Sequence, residues 1–521
     1  MVFAGCKAQQ KNTATKTAQQ IDNTATKQKK NILFIAVDDL KPLLSNYGHP
    51  EMITPNFDRL AKMGVTFTNA QVQYAVCGPS RASVMTGTYP DRTKVWDLHT
   101  DFRESAPDLI SMPEYLISQG YETTGIGKIY HKGSSSPGHD GKSWSIPHAQ
   151  PKNFDPKYGD PAFEYYQNPE TKKQMAALEE EAKAKGITKP GKLRAYVFKR
   201  LKPSTECVDV SDEAYQDGIY TREALKKLNM LMKGDKPWFL AVGYQKPHLP
   251  FIAPKKYWDL YDRSKVKLAE FQQLAEGTPM IAYHNYGELR AFSDIDDNYN
   301  IGDIINEDKQ RELVHGYMAA VSYIDAQLGK LLDALESKGI LDNTIIVLWG
   351  DHGWHLGDHT EWCKHSNFEQ AAHFPFMWAG PGMAKGIKVE NPVELVDLFP
   401  TLFDLAGVPQ NQQEQGKSLV PLMDNNPATT ITADAAFHQY ARGKVMGYSI
   451  RTDRYRYTEW QDNNYRSYKP YKNENIVGRE LYDYEKDPLE TKNWVDDPKY
   501  KTVVAELKEK LKAHLAKIGG Q

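Results

Sequence analysis

From Asn31 the residues Ile32-Leu33-Phe34-Ile35-Ala36-Val37 form an unbroken apolar run of strand length that stops abruptly at Asp38-Asp39. Strands buried on both faces of a parallel sheet read this way, so the pattern predicts such a strand with two carboxylates at its C-terminal end. Thr54-Pro55, then Asn56 to Met63 and Gly64, spell a helix with an N-cap, a proline in its first turn and a glycine stop. A strand over Val65 to Phe67 follows. The same grammar recurs as a strand over Tyr121 to Gly125, a helix near Thr221 to Met232 and a strand over Trp238 to Gly243. A helix near Leu313 to Ser337 then leads to a strand over Thr344 to Trp349, which ends in Gly350-Asp351-His352. Alternating β and α elements with polar residues at strand ends predict a layered α/β sheet that binds its ligands at the carboxyl edge.

Pro151 to about Ser211 breaks the rhythm. Its Lys/Glu/Ala-rich and Pro/Gly-containing stretches carry no clear strand and read as a surface insertion, helical over Thr171 to Lys185. After Gly407 a Pro/Asn/Gln-rich stretch through Thr430 reads as a linker. Beyond it lie short aromatic and β-branched runs, Met446 to Thr452 and Arg454 to Trp460, and an amphipathic helix over Val503 to Ile518. The expected organisation is a leader and tether over 1–30, a catalytic domain over 31–407 containing the 151–211 insertion, a linker over 408–430 and a small α+β subdomain over 431–521. No internal repeat is present.

Composition narrows the function more than the fold. A chain of 521 residues, 40% hydrophobic and 11% aromatic, can bury a large core. With 65 basic and 67 acidic residues its formal charge is -2, which gives no global field favouring nucleic acid or an anionic membrane. An anionic ligand must therefore be held by a local pocket. The four cysteines, at 6, 77, 207 and 363, are too few and too scattered for a disulfide scaffold. Met1-Val2-Phe3-Ala4-Gly5-Cys6, followed by a polar stretch through Lys30, resembles the end of a bacterial lipoprotein signal and its tether. Cys6 would carry the lipid, and the expected location is the periplasm or outer membrane of a Gram-negative bacterium. No later run reaches the ~20 apolar residues of a membrane span.

Cys77-Gly78-Pro79-Ser80-Arg81-Ala82-Ser83-Val84-Met85-Thr86-Gly87 places a cysteine just ahead of Pro and Arg at the mouth of a predicted helix. A helix N-terminus with an adjacent arginine stabilises anions near residue 77. Asp38-Asp39 and Asp351-His352, at the ends of two strands, can be brought to residue 77 by a folded sheet. Three carboxylates suit a hard divalent cation with oxygen ligands, Ca²⁺ ahead of Mg²⁺. Gly127-Lys128-Ile129-Tyr130-His131, Lys246-Pro247-His248 and Trp362-Cys363-Lys364 add basic clusters: lysines neutralise an anion, and histidines exchange protons near neutral pH.

The segment at Cys77 closely resembles the sulfatase signature, C-x-P-S-R followed by T-G. In that family the cysteine is oxidised to formylglycine by a dedicated maturase. One hydroxyl of the aldehyde hydrate attacks sulfur, and the second lets the sulfated intermediate collapse. The resemblance assigns Asp38, Asp39, Asp351, His352 and modified Cys77 to a metal, with His352 standing where many members carry Asn. It gives Lys128 and Lys364 contacts to sulfate, makes His131 the base that triggers elimination, and lets His248 bind sulfate and assist the leaving oxygen. Arg81 would fix the formylglycine side chain.

Further segments resemble the iduronate-2-sulfatase branch: Val37-Asp38-Asp39-Leu40, Ala241 through Phe251, Asp351-His352-Gly353-Trp354, Lys364 through Phe368, and Met446 through Thr452. The resemblance spans Asn31 to about Asn493. It implies an alkaline-phosphatase-like α/β fold with a large mixed sheet flanked by helices. The implied activity is exo-acting hydrolysis of 2-O-sulfate from iduronate or an unsaturated uronate of heparin, heparan, chondroitin or dermatan oligosaccharides. Lys246, His355 and His365, which flank the motif residues, are candidates for the uronate carboxylate. Three other readings stay open: a sulfatase of 6-O or other regiospecificity, a zinc phosphohydrolase using His352, His355 and His359, and a silent glycan-binding lipoprotein.

Overall fold

In the computed structural model the apolar run after Asn31 is strand β1 (Asn31–Val37). It lies inside a seven-stranded sheet with β2 (Gly64–Phe67), β3 (Glu122–Gly127), β4 (Trp238–Tyr244), β5 (Thr344–Gly350), β6 (Phe376–Ala379) and β7 (Ile387–Val389). The order is β7-β2-β6-β5-β1-β4-β3. Only β6 runs against its neighbours, so the sheet is mixed. The structure describes residues 1–2, 29–133, 135, 139–424, 434–467 and 471–519, so Cys6 and most of the leader lie outside the described residues.

Alternation along β1 explains its unbroken apolar character. Leu33, Ile35 and Val37 pack in one core with helices α5 (Gln216–Leu231) and α6 (Glu307–Ser337). Phe34 and Ala36 face a second core containing α2 (Cys77–Thr86) and α7 (Leu398–Ala406). A strand covered on both faces has no polar face to display. Val37 sits level with Tyr244 of β4 and Gly350 of β5, so the residues after all three strands emerge at one edge. Among the described residues, no helix is long and apolar enough to cross a membrane.

Some elements depart from the sequence reading. Helix α6 begins at Glu307, ahead of the apolar period that starts at Leu313, because Asn306 caps the amides of Asp308 and Lys309 and the first turn is polar. The 151–211 stretch holds α3 (Pro169–Ala184) and α4 (Pro190–Phe198), and it also contains a strand, Thr205–Val208, parallel to Phe251–Pro254. That strand has little apolar signal because it is anchored through buried Glu206, which accepts hydrogen bonds from the amides of Gln167 and Asn168 at 2.7 and 2.9 Å. The residues after Gly407 are tied down: Gln413 donates to the carbonyls of Thr86 and Ile110, both at 2.7 Å. At the C-terminus a four-stranded antiparallel sheet, β8 (Ala436–Arg442), β9 (Val445–Arg451), β10 (Tyr455–Gln461) and β11 (Ile476–Asp483), is backed by α8 (Lys501–Gly519).

Where that sheet meets the catalytic layer, Glu394 accepts from the amide of Phe437 and the hydroxyl of Tyr89. Burial and the neighbouring charge of Asp397 push Glu394 up to about 8, and burial pushes Asp397 up to about 6. Folded values above unfolded ones mean that stability is fully present below the ordinary carboxylate range and is lost as pH rises through the raised values. Glu394→Gln should therefore gain stability relative to the unsubstituted protein between about pH 5 and 8 in thermal unfolding. A difference that does not change with pH would exclude this account.

Candidate active site

The turn after β1 puts two buried carboxylates side by side. Asp39 adopts left-handed backbone (φ 58°), held by the Tyr317 hydroxyl donating to its carbonyl at 2.8 Å and by its own amide donating to Asp351 Oδ1 at 2.9 Å. After β5, the Nδ1 of His352 lies 2.9 Å from the Gly353 carbonyl, which turns Nε2 toward Cys77 Sγ at 3.4 Å. Cys77, the first residue of α2, is also 3.6 Å from Asp39 Oδ1. After β3, Gly127 (φ 75°) brings the chain so close to β4 that a Cβ would lie 2.1 Å from the Gly243 carbonyl oxygen. This tight crossing delivers Lys128, whose ammonium pairs with Asp38.

Arg81 and Lys364 complete the charge network. Arg81 is fully buried and donates to Asp351 Oδ2 at 2.9 Å, Asp38 Oδ1 at 3.0 Å and the carbonyls of Ile129, at 3.1 Å, and Lys128. Its hydrogen bonds thus run to the carboxylates and the strand ends, where the resemblance had it fixing residue 77. Lys364 Nζ lies 3.0 and 3.1 Å from the two oxygens of Asp39. Against the upward push of burial, Lys128 and Arg81 hold Asp38 well below the ordinary carboxylate range. Burial pushes Asp39 well above that range, and the charges of Asp38, Glu288 and Asp351 add to it against Lys364. Burial, with the charge of Asp38, also holds the Cys77 thiol well above its usual value, so it stays protonated at neutral pH.

Two overlapping groups have ligand atoms within 4.8 Å of one another: Asp38, Asp39, Cys77 and His248, and Asp39, Cys77, Asp351 and His352. The four carboxylates of Asp38, Asp39, Asp351 and Glu288 face only three permanent cations, Arg81, Lys128 and Lys364, in this network. An oxygen-rich cluster with surplus negative charge, one member of which is driven toward protonation, fits a divalent cation.

Beside this cluster opens a cavity of about 380 Å³, lined by Asp38, Lys128, His131, His248 and, from the 151–211 stretch, Lys152 and Tyr165. Burial and Lys128 lower His131 to about 3; burial and Lys364 lower His248 to about 3, so both imidazoles are neutral near pH 7. A larger cavity of about 650 Å³, lined by Lys41, His49, Glu51 and Lys265 among others, contains none of the converging metal-type ligands.

The structure therefore brings together Asp38, Asp39, Cys77, Arg81, Lys128, His131, His248, Asp351, His352 and Lys364. The three carboxylate candidates fare differently. Lys246 lines the cavity, but its ammonium donates to the Pro250 carbonyl at 2.8 Å and to that of His248. His365 is bound between Glu288 and Tyr440, at 3.1 Å each. His355 is fully buried, 2.8 Å from Ser366 Oγ. None of the three turns an uncommitted charge toward the cavity. The zinc set does not converge either: the His355 and His359 rings are 6.3 Å apart, and neither belongs to the ligand groups above. Glu288 and the cavity wall from the insertion carried no motif, so pattern reading passed over them.

A family model described as "Sulfatase" matches residues 30–408, and a second, "N-sulphoglucosamine sulphohydrolase, C-terminal", matches residues 357–517. The chain is 34% identical to iduronate 2-sulfatase of Homo sapiens, over 90% of this chain and 91% of the human one. The chain belongs to the sulfatase family. Solved structures agree on the fold of this sulfatase. One, described as a complex with its substrate D-glucosamine-2-N,6-O-disulfate, superposes with a TM-score of 0.70 at 22% identity, covering 95% of this chain and 98% of that one. Another, described as a 2-O GAG sulfatase, superposes at 0.67 and 22% identity, covering 94% and 93%. The layered α/β sheet read from the strand pattern and the alkaline-phosphatase-like fold implied by the resemblance are both found in this sulfatase, and sulfuric ester hydrolysis is its class of reaction.

Proposed function

We propose that this sulfatase removes the 2-O-sulfate from a terminal iduronate or unsaturated uronate of glycosaminoglycan oligosaccharides, with formylglycine at position 77 as the nucleophile. The observation that carries the reading is that residue 77 converges with Asp38 and His248, which line a small cavity together with Lys128 and His131. Cavities of a few hundred Å³ enclose small ligands or one end of a larger one, which favours a chain terminus over a threaded polymer. Support for the uronate 2-O position comes from the 34% identity to human iduronate 2-sulfatase along almost the whole chain. Formylglycine is favoured because the buried Cys77 thiol is held protonated and is a poor nucleophile as it stands.

The chain's own groups divide the work. Lys128 and Lys364 neutralise the sulfate, His248 orients it through a ring N–H, and His131, neutral near pH 7, can accept the proton from the second hydroxyl of the hydrated aldehyde. Asp38, Asp39, Asp351 and His352, with residue 77, would hold Ca²⁺, which supplies Lewis-acid polarisation of the sulfate oxygens and lowers the nucleophile's pKa.

The test uses protein co-expressed with a formylglycine-generating maturase and supplied with Ca²⁺. Unsaturated heparin disaccharides sulfated singly at uronate 2-O, glucosamine N or glucosamine 6-O are offered, and sulfate release is followed. Release from the 2-O isomer alone, lost on chelation and restored by Ca²⁺, is the expected result. Release from another isomer would overturn the 2-O assignment and keep the sulfatase chemistry; restoration by Mg²⁺ but not Ca²⁺ would change the ion.

A further inference from the structure

Glu288 belongs to none of the motifs, yet it touches two of the sulfate-binding side chains. It sits on a short helical turn, Gly287–Arg290, between Tyr286 and Leu289, whose side chains are 0% and 1% exposed and anchor the turn in the core. Its Oε1 lies 3.0 Å from Lys364 Nζ and 3.3 Å from His248 Nε2. Its Oε2 lies 3.1 Å from His365 Nε2, and the other nitrogen of that ring is 3.1 Å from the Tyr440 hydroxyl on β8. Arg442, two residues along β8, donates to the carbonyl of His365 and, at 3.1 and 3.2 Å, to those of Tyr283 and Ala282. The C-terminal sheet thus clamps both the segment that carries His365 and the segment that leads into Glu288.

We propose that Glu288 is a positioning residue that aims Lys364 and His248 at the sulfate, and that the C-terminal sheet fixes its aim through Tyr440 and His365. The inference rests on the reading of Lys364 and His248 as sulfate ligands. A flexible ammonium and an imidazole need a second partner to stand in one geometry before substrate arrives, and preorganised donors are what stabilise developing charge. The same carboxylate has a cost in the ground state, because it competes with sulfate for two of its partners. Its removal should separate binding from turnover: the ammonium and the imidazole become freer to take sulfate, but they are less well aimed for the transition state. A residue that merely supported the fold would lose both together.

The experiment compares mature, maturase-treated wild type with Glu288→Gln, Glu288→Asp and Tyr440→Phe. Turnover is followed on a small aryl sulfate and on the 2-O-sulfated disaccharide, and inorganic sulfate binding by calorimetry. Glu288→Gln is expected to lower kcat about 100-fold, the upper range for groups that orient an active-site ligand, while binding inorganic sulfate as tightly as wild type or more so. Glu288→Asp should recover part of kcat, and Tyr440→Phe should show a smaller loss in the same direction with an unchanged unfolding midpoint. A Glu288→Gln kcat within twofold of wild type, or kcat and sulfate affinity falling together, would overturn the proposal. Wild type that cleaves the aryl sulfate but not the disaccharide counts against the uronate assignment alone. If wild type cleaves neither, the sulfate titrations still decide, since weaker sulfate binding by Glu288→Gln contradicts a competing carboxylate.

Discussion

Replacing Cys77 by alanine should abolish sulfate release, a loss on the order of 10⁵-fold or more, as for removal of the nucleophile in other covalent hydrolases. Wild type made without a maturase should be equally inactive, and this second arm carries the argument. Cys77 is 3% exposed and lies between Asp39 and His352 at 3.6 and 3.4 Å. Burial and the charge of Asp38 hold its thiol well above the usual value, so the thiolate needed for nucleophilic attack is scarce at neutral pH. An aldehyde hydrate differs in carrying a second hydroxyl on the same carbon, through which the sulfated intermediate can collapse, a route that a sulfated thiol lacks. Activity measured beside the mass of the peptide containing residue 77 checks the point: rate should follow the fraction of chains in which the thiol has become an aldehyde. Full activity in protein whose residue 77 is entirely thiol would sink the formylglycine reading. Because the side chain is small and sits at a helix start, Cys77→Ala should leave the unfolding midpoint close to wild type, which separates lost chemistry from lost fold.

The parts of this site that lie on strand ends were legible in the sequence. Parallel strands end level with one another, so Asp38 and Asp351, each just beyond an apolar run, could be placed at one sheet edge from the sequence alone. The start of α6 was not legible, because a capped polar first turn carries no apolar period. Nor was the cavity wall: Lys152, Glu164 and Tyr165 come from a stretch held by the buried carboxylate of Glu206, which pattern reading takes for a solvated loop. Glu288 was missed for the same reason in sharper form, since its partners lie 40 to 77 residues away and only the fold unites them. Lys246 and His365 show the converse error. Adjacency to a motif suggested free cations, but each has its polar atoms taken up by neighbouring groups.

Arg81→Lys should lower turnover about 100-fold while the protein still folds, the scale expected when reacting groups are misplaced by about an ångström. The guanidinium reaches Asp351 through Nε, Asp38 through one terminal nitrogen and the Ile129 and Lys128 carbonyls through the other, with Trp349 5.5 Å from its centre. A lysine keeps the charge but cannot span both carboxylates and the chain after β3 from one point. Asp38 and Asp351 would then lose their common brace, and calorimetric Ca²⁺ titration should show weaker binding in parallel with the fall in rate. Arg81→Ala goes further: it leaves Asp351 buried without its cationic partner and Asp38 with Lys128 alone, which costs about 3–5 kcal/mol for a broken buried ion pair. Set against a total stability of roughly 5–15 kcal/mol, that loss should appear as a collapse in soluble yield and in the unfolding midpoint. Wild-type turnover and Ca²⁺ affinity in Arg81→Lys would show instead that the carboxylates hold their positions without the arginine. The burial of Arg81 would then serve the helix that carries residue 77 and not the metal-type ligands.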